Sequence, residues 1–134
     1  MHENRKLVTN YYDNFNKKDW DALTNLLDEN VIHDRNQENR VIGKEAFKKF
    51  LLAMGECYDE QISNLTILQN TTGDRLASEF TVSGAYIKTD TNLPLATGQK
   101  YTLAAGAFFE IKHNKISRIT GYYNLNEWLN LIKE

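Results

Sequence analysis

His33 and Asp34 stand side by side in VIHDRNQENR, where an apolar run gives way to a polar one. A histidine beside a carboxylate can take up and pass on a proton near neutral pH. Neighbours in an extended chain point to opposite faces, so the two serve one substrate only where a strand ends and the chain turns. Otherwise His33 works alone as a proton shuttle, or pairs with a surface carboxylate. Glu79, inside the apolar run LASEFTV, is the other acid of interest. It either faces water, alternating with Phe80 and Val82, or is buried and paired. Buried, it would give a second titratable group opposite Asp34, and two carboxylates in separate environments suit an acid and a base.

Other chemistries lack their residues. The sequence holds no glycine-rich phosphate loop, no Cys and His set at zinc spacing and no nucleophile elbow; His2, His33 and His113 are too scattered for a metal site. Proton transfer without metal or cofactor is the expected chemistry. Cys57, the single cysteine, has no activating neighbour and no internal disulfide partner.

The elements that must position these groups follow from periodicity. Val8, Tyr11, Tyr12 and Phe15 recur at helical spacing, and Asp19 is placed to cap a second helix carrying Trp20, Leu23 and Leu27. Gly43 precedes a third helix with Phe47, Phe50, Leu51 and Met54 on its stripe. From Tyr58 onward, β-branched and aromatic residues broken by TTGD, TDTNLPLATG and KHNK predict four hairpin-linked strands, near 58–69, 75–88, 99–111 and 116–123. NLNEWLNLIKE returns to helical spacing, with Asn124 and Glu127 in a capping-box arrangement. The expected fold is α+β: a cone-shaped, curved antiparallel sheet with three N-terminal helices across its concave face and a short C-terminal helix. Tyr11, Phe47, Phe50, Phe109 and Trp128 are expected to share one continuous apolar interior.

The chain has 134 residues, the size of one domain, and no repeat, linker or charge block divides it, so residues 1–134 are expected to form a single domain. Sixteen basic residues mixed among eighteen acidic ones, for a net charge of −2, give no basic field for nucleic acid. No apolar run approaches the ~20 residues that span a bilayer, which argues against a membrane partner. A start without a signal-peptide pattern, together with the lone cysteine, predicts a cytoplasmic setting.

YYDNFNKKDWDALTNLLDENVIHDRNQ, RVIGKEAF, GQKYTLAAGAFFEI and KISRITGYYNLNEW resemble the ketosteroid-isomerase-related proteins of the SnoaL-like, nuclear-transport-factor-like superfamily, over nearly the whole chain. The resemblance implies a pocket enclosed by the curved sheet and its helices. It also implies three roles: a carboxylate base at the first strand, a tyrosine on the first helix and a protonated acid on a later strand, the last two forming an oxyanion hole. The tyrosine falls on Tyr11. The base falls on Asp34 if one residue is missing from the preceding turn, and on Arg35 by ungapped counting; Asp34 is preferred because an arginine cannot act as a base near neutral pH. AAGAFFEI has no acid at the third position, so Tyr58, Tyr86 and Gln99 become candidate ligand contacts in its place, alongside Glu79.

These readings imply a small cofactor-independent isomerase, lyase or hydrolase that abstracts a proton next to a carbonyl on a hydrophobic small molecule. The competing reading is a non-catalytic ligand-binding or dimerisation module on the same fold. Epoxide hydrolysis through Asp34 with Arg35 or Arg40 ranks below both. A homodimer is expected through the outer sheet face, where Phe108 and Tyr122 would be costly to leave in water. An Asp34 in an apolar cavity would have a raised pKa, and one paired with arginine a lowered pKa.

Overall fold

A computed structural model describes residues 2–133. Helix α1 (His2–Lys17) turns Val8, Tyr11, Tyr12 and Phe15 to one buried side, as their spacing requires. Asp19 caps α2 (Trp20–Thr24) by accepting the Ala22 N–H. This helix is shorter than its periodicity suggests: Leu27, expected on its stripe, opens strand β1 (Leu27–Asp34) opposite Ile116. Pairing with a distant strand here overrides local helical spacing.

A two-residue edge strand, β2 (Val41–Ile42), pairs with β1, and α3 (Lys44–Cys57) follows at Gly43, whose φ of 114° suits only glycine. Then come β3 (Tyr58–Gln69), β4 (Arg75–Tyr86), β5 (Gln99–Lys112) and β6 (Lys115–Tyr123), joined as antiparallel hairpins. In the last hairpin His113 and Asn114 both take positive φ, the geometry of a two-residue turn matched to strand twist. Helix α4 (Leu125–Leu131) starts at Asn124, which accepts the Glu127 N–H at 3.0 Å.

The six strands make one curved, unclosed sheet in the order β2-β1-β6-β5-β4-β3. One feature departs from the all-antiparallel expectation. β1 runs parallel to β6, which is possible because α3 and four intervening strands separate them in the chain. Among the described residues no helix is long and apolar enough to cross a membrane.

The interior is not the single cluster the sequence suggested. Tyr11, Phe47 and Phe109 belong to a larger cluster under α1 and α3, with Phe50 packed against it, whereas Trp128 packs against a smaller one of Tyr58, Tyr86, Tyr101, Leu103 and Ile132. Met54 touches both clusters, and a cavity is lined by members of each. A concave sheet bridged by only a few helices leaves this space unfilled.

Candidate functional site

The cavity has a volume of about 690 Å³, within the range of small-molecule sites. Its walls are mostly apolar, among them Phe15, Phe50, Ile62, Phe80, Leu103 and Trp128. Polar groups enter at a few points, and strand alternation decides which.

On β1, His33 pairs with Ile119 and Asp34 with Thr120 across the ladder to β6. His33 and Ile119 line the cavity; Asp34 and Thr120 do not. The two neighbours therefore face opposite sides of the sheet, and the expectation that Asp34 shares the cavity with Tyr11 is corrected. Arg40 grips the Asp34 carboxylate with two hydrogen bonds, Nε to Oδ1 at 2.7 Å and Nη2 to Oδ2 at 3.0 Å, and Thr120 donates a third at 3.1 Å. The Arg40 bonds, reinforced by Thr120 and the charges of Arg40 and Arg118, hold the Asp34 carboxyl below its ordinary range. The cause lies in the register, because a strand of period 2 cannot turn both residues inward.

His33 is the group left inside, 8% exposed, with its ring 4.4 Å from that of Phe47 and 4.9 Å from that of Phe50. Its nitrogens have no hydrogen-bond partner among the described residues. Burial, and then the charge of Arg35, push its pKa down to about 4, against a smaller upward pull from Asp34. Near pH 7 it is a neutral imidazole with a free lone pair, about as basic as a carboxylate.

Tyr11 and Tyr12 both reach the cavity, their rings edge to face at 5.1 Å. Their hydroxyls differ. Tyr12 bonds the buried Ser78 hydroxyl at 2.7 Å, whereas the Tyr11 hydroxyl makes no hydrogen bond among the described residues. Burial raises both phenols far above their ordinary value, so each stays protonated and able to donate.

Glu60, absent from the candidates read in the sequence, also lines the cavity. The signal for it was alternation: Tyr58 facing in puts the residue two further along on the same face. Tyr101 donates its hydroxyl to Glu60 Oε2 at 2.6 Å. Burial raises the Glu60 pKa, partly offset by that bond and by the Lys18 charge. Gly84 makes room for the contact, since a Cβ there would lie 2.6 Å from the Tyr101 ring.

The other predicted contacts divide. Tyr58 lines the cavity, with its hydroxyl donated to Asp90 at 2.8 Å. Tyr86, fully buried and stacked on Tyr58, is outside the lining; its hydroxyl donates to Pro94 O and accepts from Asp90 N, tying down the loop after β4. Gln99 also lies outside it, spanning Leu95 O and Ile132 O to fasten α4's end to that loop. Glu79 is exposed on the outer face of β4, opposite Gly106, so the buried alternative is corrected too. Both Tyr86 and Gln99 are spent on the fold because their loop needs buried partners for its own polar groups. Among the described residues no group of three or more His, Cys, Asp or Glu is placed to hold a metal ion.

The chain matches the SnoaL-like domain over residues 8–119. A candidate polyketide cyclase from Xanthomonas campestris pv. campestris is 43% identical, with 98% of each chain covered and a TM-score of 0.97. Another, from Pseudomonas putida KT2440, is 48% identical over 94% of this chain and 95% of that one, with a TM-score of 0.92. A Mycobacterium tuberculosis LEH-like epoxide hydrolase, 13% identical over 98% of this chain and 86% of its own with a TM-score of 0.78, shares the fold alone. None of the curated proteins matches the sequence.

Proposed function

The chain belongs to the SnoaL-like domain family, and from that membership and its cavity we propose a cofactor-independent enzyme, isomerase-like or cyclase-like, acting on a hydrophobic carbonyl compound. The observation that carries this reading is the neutral, unpaired His33 imidazole on a mostly apolar cavity that is also lined by Tyr11, whose hydroxyl makes no hydrogen bond among the described residues. In the proposed reaction His33 takes a proton from the carbon next to the carbonyl. The electron pair left behind moves onto the carbonyl oxygen, where the Tyr11 O–H donates a hydrogen bond to the growing charge. The enolate then regains a proton at another carbon or attacks a second carbonyl to close a ring, as the names of the 43% and 48% identical relatives suggest. Glu60, its carboxyl pushed toward the protonated form, is placed to supply the proton that completes either course. Burial shifts the two groups in opposite directions, keeping His33 unprotonated and favouring the protonated form of Glu60, which supports this division of roles. The proposed setting is a single cytoplasmic domain that dimerises through its outer sheet face.

A second reading, a ligand-binding module without catalysis, is favoured by one fact: the acid singled out by the family resemblance, Asp34, is bound to Arg40 and turned out of the cavity. Hydrogen–deuterium exchange separates the two readings. With 2-tetralone in D2O, followed by NMR, the enzyme should accelerate exchange at the carbon next to the carbonyl; His33→Asn should lower the rate about 10²–10⁴-fold and Asp34→Asn should not. Exchange no faster than in buffer, or unchanged in His33→Asn, would sink the catalytic reading and leave the module.

A further inference from the structure

Two buried donors in the cavity wall have no partner. Arg35 and Asn36, which follow directly on β1, both line the cavity, and the Arg35 Nε and Asn36 Nδ2 atoms are buried without a hydrogen bond among the described residues. Leaving buried donors unpaired is costly, so two such donors on consecutive cavity-lining residues mark a place where something else supplies the acceptor. We infer that the ligand carries a carboxylate, and that Arg35 Nε and Asn36 Nδ2 receive it at this end of the cavity.

The surroundings fix both donors. Continued alternation past His33 turns Arg35 to the inner side, where its guanidinium lies 5.3 Å from the Phe50 ring centre. Glu38 meets only the Nη2 end, at 3.4 Å, which holds the head in place and leaves Nε unpaired. Asn36 Oδ1 accepts the Tyr123 backbone N–H at 3.4 Å. An amide whose oxygen faces an N–H donor has its nitrogen on the other side, so Asn36 Nδ2 is a donor by necessity.

Arg35 is cationic and the adjacent His33 is neutral; Glu38, which also lines the cavity, meets the charge from the Nη2 side and leaves Nε for a second acceptor. A planar guanidinium beside an amide N–H suits the two oxygens of a carboxylate better than a single carbonyl oxygen. Away from Arg35 and Asn36 the cavity wall is mostly apolar. The ligand is therefore polarised, its acid at Arg35 and Asn36 and its apolar body extending past Phe50 and Met54 toward Trp128.

This inference rests on the cavity being the ligand site, and two probes of the same shape separate the claims. 2-Naphthoate is an anion and 2-acetonaphthone its neutral counterpart, and calorimetric titration of the full chain compares them. Naphthoate should bind about tenfold or more tightly than acetonaphthone, the gain expected of a charge-assisted hydrogen bond. Arg35→Gln should erase that preference, and Asn36→Asp, which changes a donor to an acceptor at constant size, should weaken naphthoate selectively. Equal affinities in the unaltered protein, or equal losses for both probes in the two variants, would overturn the carboxylate site while leaving the cavity reading intact. Failure of both probes to bind would overturn the cavity reading and this inference with it.

Discussion

Replacing His33 with asparagine removes one titration whose effect on stability has a defined sign and window. In the unfolded chain an imidazole takes its proton near 6.5; in the folded protein burial and Arg35 delay it to about 4. Between those values the unfolded state binds more protons, so stability falls as the pH drops from 6.5 toward 4. Above 6.5 the His33 contribution is complete. The interval from 6.5 to about 4, at ~1.36 kcal/mol per pH unit, amounts to about 3 kcal/mol. Two acids act differently: Asp34, held low by Arg40, loses its contribution only below 3.8, and Glu60, raised by burial, weakens the fold as pH rises above 4.5. Both remain in His33→Asn and cancel in the comparison. Urea unfolding of the two proteins at about pH 7, 5.5 and 4 reads the difference directly. The unaltered protein should lose about 3 kcal/mol more than the variant across that range, and the His33 ring proton signal should stay fixed from about pH 8 to 5.5. Parallel losses, or a ring titration centred near 6.5, would refute a desolvated imidazole and with it the base proposed here.

Two further outcomes test the packing. Gly84→Ala should cost about 1–3 kcal/mol in urea unfolding, because the new Cβ would stand 2.6 Å from the buried Tyr101 ring, whose hydroxyl reaches Glu60; an unchanged midpoint would mean the ring moves freely. Light scattering should give a particle of twice 15.5 kDa for the unaltered chain, and Phe108→Lys should halve it. Phe108 and Tyr122, 46% and 56% exposed with rings 5.8 Å apart, form the outer apolar patch that pairing would cover. A monomer at micromolar concentration would remove the dimer.

Much of the architecture was legible because it depends on local rules. The helical stripe of Val8, Tyr11, Tyr12 and Phe15, the cap at Asp19 and the turn at KHNK each require only neighbours in sequence, and the strands begin and end within a few residues of where those turns place them. Glu60 was legible in the same way: once Tyr58 faces inward, so does the residue two positions on.

What the sequence left open is everything that depends on which strand lies beside which. Alternation alone establishes that only one of His33 and Asp34 enters the cavity; the parallel register of β1 on β6, set by chain segments more than eighty residues apart, selects His33 and hands Asp34 to Arg40 and Thr120. Leu27 moved from helix to strand for the same reason, since its partner Ile116 is distant in sequence. Tyr86 and Gln99 carry groups that could bind a ligand, yet the returning loop and the end of α4 take their hydrogen bonds first. The unpaired Arg35 Nε and Asn36 Nδ2 belong to this second kind of knowledge. Whether a donor is satisfied depends on every group that the fold brings within reach, and periodicity along one strand carries no record of that.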